Sequence, residues 1–73
     1  MPRLYSSRQI IKVLKRNGFV FISQKGSHAK YRKIIGGRVL TTVVIMAQHE
    51  IFYGTFRAIV EQTQIDEEDF EKH

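Results

Sequence analysis

Histidine is the only residue type in this chain with an ordinary pKa near neutrality, and three are present, at positions 28, 49 and 73. His28 lies in Gly26-Ser27-His28-Ala29-Lys30-Tyr31-Arg32-Lys33, between a glycine turn and a run that alternates cation with aromatic or apolar residue. A proton-transfer group beside a ribbon of lysine and arginine suits a polyanion with a bond to break, and RNA cleavage is the chemistry these types could do. Such cleavage needs a proton taken from the ribose 2′-hydroxyl, a proton given to the leaving 5′-oxygen, and stabilisation of the phosphorane charge. Histidine can perform either proton step, an effect typically worth ~100- to 10,000-fold. Lys30 and Arg32, two and four residues on, project from the same strand face as His28 and would steady the phosphorane. Gly26 and Ser27 shape the turn, and the Ser27 hydroxyl could also donate to a phosphate.

The competing reading of His28 is a surface strand histidine with no duty. His49 is either a second acid–base group or a loop histidine that caps or faces solvent, and the terminal His73 is assigned no role. His28, His49 and Glu50 show no H-x-x-x-H spacing, so no metal site and no cofactor are expected. A nucleophilic triad is disfavoured because Ser27 adjoins its histidine on a strand and points to the opposite face.

With 73 residues the chain should form one domain spanning 1–73, near the size where a single hydrophobic core only just suffices. Cysteine is absent, which removes disulfides and thiolate zinc sites. The longest apolar run, Val43 to Ala47, is too short for a membrane span. Met1-Pro2-Arg3-Leu4 is not followed by a hydrophobic stretch of signal-peptide length, so a cytoplasmic location with no membrane partner is expected. Charge is segregated: residues 1–49 carry ten Lys or Arg and no acid, whereas residues 50–73 carry two basic and seven acidic residues. A basic body with an acidic tail points to nucleic acid as the partner.

These residues must be positioned by a small set of elements. Residues 5–17 read as a first helix, with Ser6 and Gln9 forming a capping box and Tyr5 and Ile10 the staple around it. Ile10, Ile11, Val13 and Leu14 make its apolar stripe. Arg8, Lys12, Lys15 and Arg16 make a basic face, which either grips backbone phosphates or is an ordinary solvated surface. Gly18 suits the left-handed position that ends the helix. Three strands follow: Phe19 to Gln24, Ser27 to Ile35 and Arg38 to Met46. Lys25-Gly26 and Gly36-Gly37 are the expected hairpin turns, and Lys25 also joins the cations available to RNA. A second helix opens at Gly54-Thr55 with Thr55 as its cap, and a terminal turn, Glu67 to Lys72, is capped by Asp66 and anchored by Phe70.

Two-residue turns would set His28 opposite Ser23 on one side and Ile45 on the other, and Ile34 opposite Val39. One sheet face, holding Val20, Ile22, Ala29, Tyr31, Leu40, Thr42 and Val44, should then be covered by the helices. The other should be at least partly open and hold Phe19, Phe21, His28, Lys30, Arg32, Val39, Thr41 and Val43. The class is α+β: an α-β-β-β-α order, a three-stranded antiparallel sheet, and helices on one face.

Gly18-Phe19 after a basic helix, Gly26-Ser27-His28 with Tyr31, Ala47-Gln48-His49, Gly54-Thr55-Phe56-Arg57-Ala58-Ile59, Gln62, Ile65 and the Glu67-Glu68-Asp69-Phe70 tail together resemble the HicA family of toxin mRNA interferases. The resemblance covers nearly the whole chain. It implies a fold like the double-stranded-RNA-binding domain and a small endoribonuclease that cleaves mRNA and stops translation. It also implies His28 as the catalytic residue, supported by Gly26 and Ser27, and a HicB-type antitoxin that covers it. The chain departs from the family's usual pattern at Ala47, often proline, at Gln64, often glycine, and in a short segment between His49 and Gly54. A non-catalytic RNA-binding module of the same fold is the alternative, and a purely protein-binding module a third.

Overall fold

The computed structural model describes residues 4–72; His73 lies outside them. Helix α1 spans Ser7–Arg16 and closes with both halves of the expected capping box. The Gln9 amide donates to Ser6 Oγ at 3.1 Å, and the Ser6 amide donates to Gln9 Oε1 at 2.9 Å. At the other end Gly18 takes φ +90°, and the Phe19 and Gly18 amides donate to the carbonyls of Leu14 and Lys15. This paired closure is the Schellman motif, in which the residue after the glycine packs back on the last helical turn.

That closure corrects the first strand. Phe19 is 2 % exposed and belongs to the core rather than to the open sheet face, because the Schellman turn aims it beneath α1. Strand β1 is Val20–Lys25, β2 is His28–Ile35 and β3 is Arg38–Ile45, in the order β1-β2-β3 and antiparallel throughout. The β2–β3 hairpin has the expected register, with Ile34 opposite Val39 and His28 opposite Ile45. Its turn is Gly36-Gly37, with φ of +55° and +76° that glycine adopts freely.

The β1–β2 hairpin differs by one residue. Its turn is Gly26-Ser27, with φ +59° at Gly26, so Lys25 rather than Ser23 faces His28. A bulge between Phe21 and Ser23 then inserts Ile22 as an unpaired residue. As a result Val20, expected inward, pairs with Arg32 and is 58 % exposed, while Phe21, expected outward, pairs with Tyr31 on the helix side. Phe21 still remains 52 % exposed, because the helices pack chiefly against β3, at the far edge of the sheet, and leave β1 uncovered.

Helix α2 spans Tyr53–Thr63 and starts three residues earlier than Thr55 as its N-cap would place it. Phe52 occupies its N-cap and makes no capping side-chain bond; Thr55 lies within the first turn. A terminal 3₁₀ helix, Glu67–Lys72, begins where Asp66 Oδ1 accepts from the Glu68 amide at 3.0 Å. The core joins all these elements: Ile10, Val13 and Leu14 from α1, Ala29, Tyr31 and Val44 from the sheet, Phe56 and Ile59 from α2, and Phe70 from the terminal helix. Tyr5, Phe56 and Phe70 form an aromatic cluster at its centre, with ring centroids 5.0 to 6.2 Å apart.

Ala47 and Gln64, the two positions where the chain departs from the pattern it resembles, both adopt positive φ, +61° and +58°. At Gln64 this left-handed residue ends α2, the position where glycine costs least. At Ala47 the value is one that a proline ring excludes.

Candidate functional site

His28 is the first residue of β2, presented by the Gly26-Ser27 turn and exposed. The turn is braced at both residues. The Gln24 side-chain amide donates to the Gly26 carbonyl at 2.9 Å, and the Met46 backbone amide donates to the Ser27 carbonyl at 2.6 Å. Alternation places Lys30 and Arg32 on the same face as His28, and the corrected pairing brings Lys25 directly opposite it. Arg32 is half-buried and its Nε–H reaches Thr41 Oγ1 at 3.4 Å, which holds the guanidinium along the sheet surface. Three cations and one histidine therefore share an uncovered sheet face, Lys25 and His28 at the end where β2 begins and Lys30 and Arg32 further along it. Lys25 becomes an immediate neighbour of His28 because the turn is Gly26-Ser27 rather than the expected Lys25-Gly26.

The basic face of α1 belongs to a different surface. Arg8, Lys12 and Lys15 rim an open groove of about 960 Å³ on the helix side of the sheet, with Ile11, Tyr31 and Met46 below and His49 at one end. Arg16 is not part of it. Its guanidinium donates to the carbonyls of Asp69 and Lys72, at 2.8 and 3.2 Å, and ties α1 to the terminal helix. His49 therefore lines the groove, whereas His28 lies on the opposite sheet face. The two surfaces meet at one end of the sheet, where Met46 bonds Ser27.

Ser7 organises that meeting point, and sequence reasoning gave it no role. It is buried at the start of α1; its hydroxyl donates to the Ile45 carbonyl and accepts from the Gln48 amide at 2.9 Å. The Ser7 amide donates to the Gln48 carbonyl at 2.9 Å, and a bridge from the Ile51 amide to the Tyr5 carbonyl at 2.8 Å completes the stitching. The loop carrying His49 is thus held against the N-terminus of α1. Burial pushes the Tyr31 phenol above its ordinary range, in keeping with a core residue rather than an RNA platform. Among the described residues, no three His, Asp or Glu side chains converge as a metal site would require, and no helix is long and apolar enough to cross a membrane.

A family model described as the HicA toxin of bacterial toxin–antitoxin systems matches residues 7–65. The chain belongs to the HicA toxin family. Comparison with curated proteins gives no match. For this HicA-family chain the matched span runs from the first residue of α1 past the end of α2, so it contains Lys25, His28, Lys30, Arg32 and every lining residue of the groove but Ser6. Phe70 and its terminal helix lie beyond it, although they complete the core. Membership in a toxin–antitoxin family implies an antitoxin as the partner of this toxin.

Proposed function

We propose that the toxin is an endoribonuclease that cleaves mRNA through His28 and so arrests translation. The observation that carries this reading is the exposed His28 at a braced turn, sharing an open sheet face with Lys25, Lys30 and Arg32. His28 takes the proton from the ribose 2′-hydroxyl as that oxygen bonds to phosphorus. The P–O5′ bond breaks with the 5′-oxygen taking a proton from water, so the attacking group is the ribose itself rather than a metal-bound hydroxide. Lys25, Lys30 and Arg32 hold the scissile phosphate and stabilise the charge that grows on its oxygens. The Ser27 hydroxyl lies at the same turn and is available to a phosphate oxygen. Arg8, Lys12 and Lys15 bind backbone phosphates of the same strand as it passes round the sheet end into the groove.

In this reading residues 1–73 act as one toxin domain in the cytoplasm, where mRNA is found. A HicB-type antitoxin neutralises it by covering the His28 face. The deciding experiment replaces His28 by Ala in the full chain. RNA cleavage should fall ~100- to 10,000-fold, growth arrest should vanish, and RNA affinity should stay within about twofold. Cleavage at the wild-type rate by the variant would refute the assignment. Salt-sensitive binding by a wild-type chain that never cuts would point instead to a non-catalytic RNA-binding module.

A further inference from the structure

Among the described residues, Phe52 has the highest exposure of the large apolar side chains that face solvent, at 81 %. It also occupies the N-cap of α2, a position that favours Ser, Thr, Asp or Asn, and it makes no capping bond there. Neither core packing nor helix capping accounts for it.

Phe52 walls a second hollow of about 240 Å³, together with Ile45, Gln48, Glu50, Ile51 and Thr55. Ile45 is the residue paired with His28 across β2 and β3, so the hollow begins one cross-strand step from the histidine. Its chemistry is unlike that of the surfaces around it. Residues 46–56 carry one acid, Glu50, and no Lys or Arg, so a phosphate would be repelled there. An aromatic face beside an amide and a carboxylate instead suits a nucleobase. The ring can be stacked upon, Gln48 offers both donor and acceptor, and Glu50 accepts from an exocyclic amino group.

We propose that this hollow seats one unstacked base of a single-stranded RNA, with Phe52 as its stacking platform, next to the phosphate at His28. The inference rests on the RNA reading above and adds to it a base subsite. The division of labour follows from charge: Lys25, Lys30 and Arg32 take the phosphate, and the cation-free hollow takes the base.

The test measures affinity for a short fluorescein-labelled single-stranded RNA at fixed ionic strength, with the full chain carrying His28→Ala so that the RNA stays intact. Adding Phe52→Ala should weaken binding roughly 5- to 150-fold, the range for loss of one base–aromatic stack. Adding Phe52→Trp should keep the affinity of the His28→Ala parent. An RNA lacking one base beside the cleavage position should lose a similar factor against the parent and nothing more against the Phe52→Ala chain. Equal binding with and without Phe52→Ala overturns the subsite while leaving the RNA reading intact. An equal loss on a base-free sugar–phosphate strand also overturns it, since the effect is then not stacking. Absence of RNA binding by the parent overturns both readings.

Discussion

Replacing Phe70 by Ala tests whether the acidic terminal helix is part of the fold or an appendage to it. Phe70 is 0 % exposed and meets the Phe56 ring edge-on at 5.1 Å between centroids, with Tyr5 at 6.2 Å. Truncating a fully buried phenylalanine removes its transfer free energy and leaves a cavity, at a cost of about 3–5 kcal/mol. A domain of 73 residues has a total stability of roughly 4–11 kcal/mol on the usual per-residue scale. The substitution therefore removes between about a quarter and all of it. With a urea m value of about 1–1.5 kcal/mol/M, the unfolding midpoint should fall by roughly 2–5 M or the chain should be unfolded without denaturant. Phe52→Ala is the matched control: the same chemical change at an exposed site should stay within about 0.5 kcal/mol. Urea titrations followed by circular dichroism measure both. A Phe70→Ala shift worth less than about 1 kcal/mol would mean that the terminal helix does not complete the core, and the reasoning would fail.

Three further outcomes follow from the same structure. Lys12→Ala and Lys15→Ala should each weaken RNA binding and reduce the slope of log affinity against log salt by about 0.7, whereas Arg16→Ala should leave RNA affinity unchanged and cost about 1 kcal/mol of stability, because its donors are spent on the terminal helix. Filter binding across a salt series, with parallel melts, separates the two effects. Gln64→Gly should raise stability by about 0.5–1 kcal/mol, read as a melting point roughly 2–8 °C higher, since φ +58° strains any residue with a Cβ. Burial raises the Tyr31 phenol, so the folded chain holds that proton more tightly than the unfolded one. Stability from this group is then complete below about pH 10 and declines as pH climbs through the folded value; Tyr31→Phe should abolish that decline in urea midpoints taken from pH 8 to 11.

Much of the site was legible because it depends on spacing along one strand. His28, Lys30 and Arg32 share a face and Tyr31 turns inward by alternation alone, and Gly36-Gly37 dictates the register that pairs His28 with Ile45. The capping box at Ser6 and Gln9 and the left-handed Gly18 are likewise local, each satisfied by residues within a few positions. The rest depends on what the chain meets at long range. Lys15 and Arg16 look equivalent in sequence, and only the docking of the terminal helix through Phe70 turns Arg16 away from the groove. Ser7 became an organising residue because the loop after β3 folds back on it.

The phase of β1 shows most plainly where local information ends. The Schellman closure sends Phe19 into the core, and the turn fixes Lys25 opposite His28. The two constraints are out of step by one residue, and the bulge at Ile22 absorbs the difference. Sequence by itself determined the elements, the basic body and the histidine at its turn, since these rest on period and on backbone preference. Tertiary structure alone turned Arg16 away from the groove and opened the hollow at Phe52, because both arise where separate elements meet.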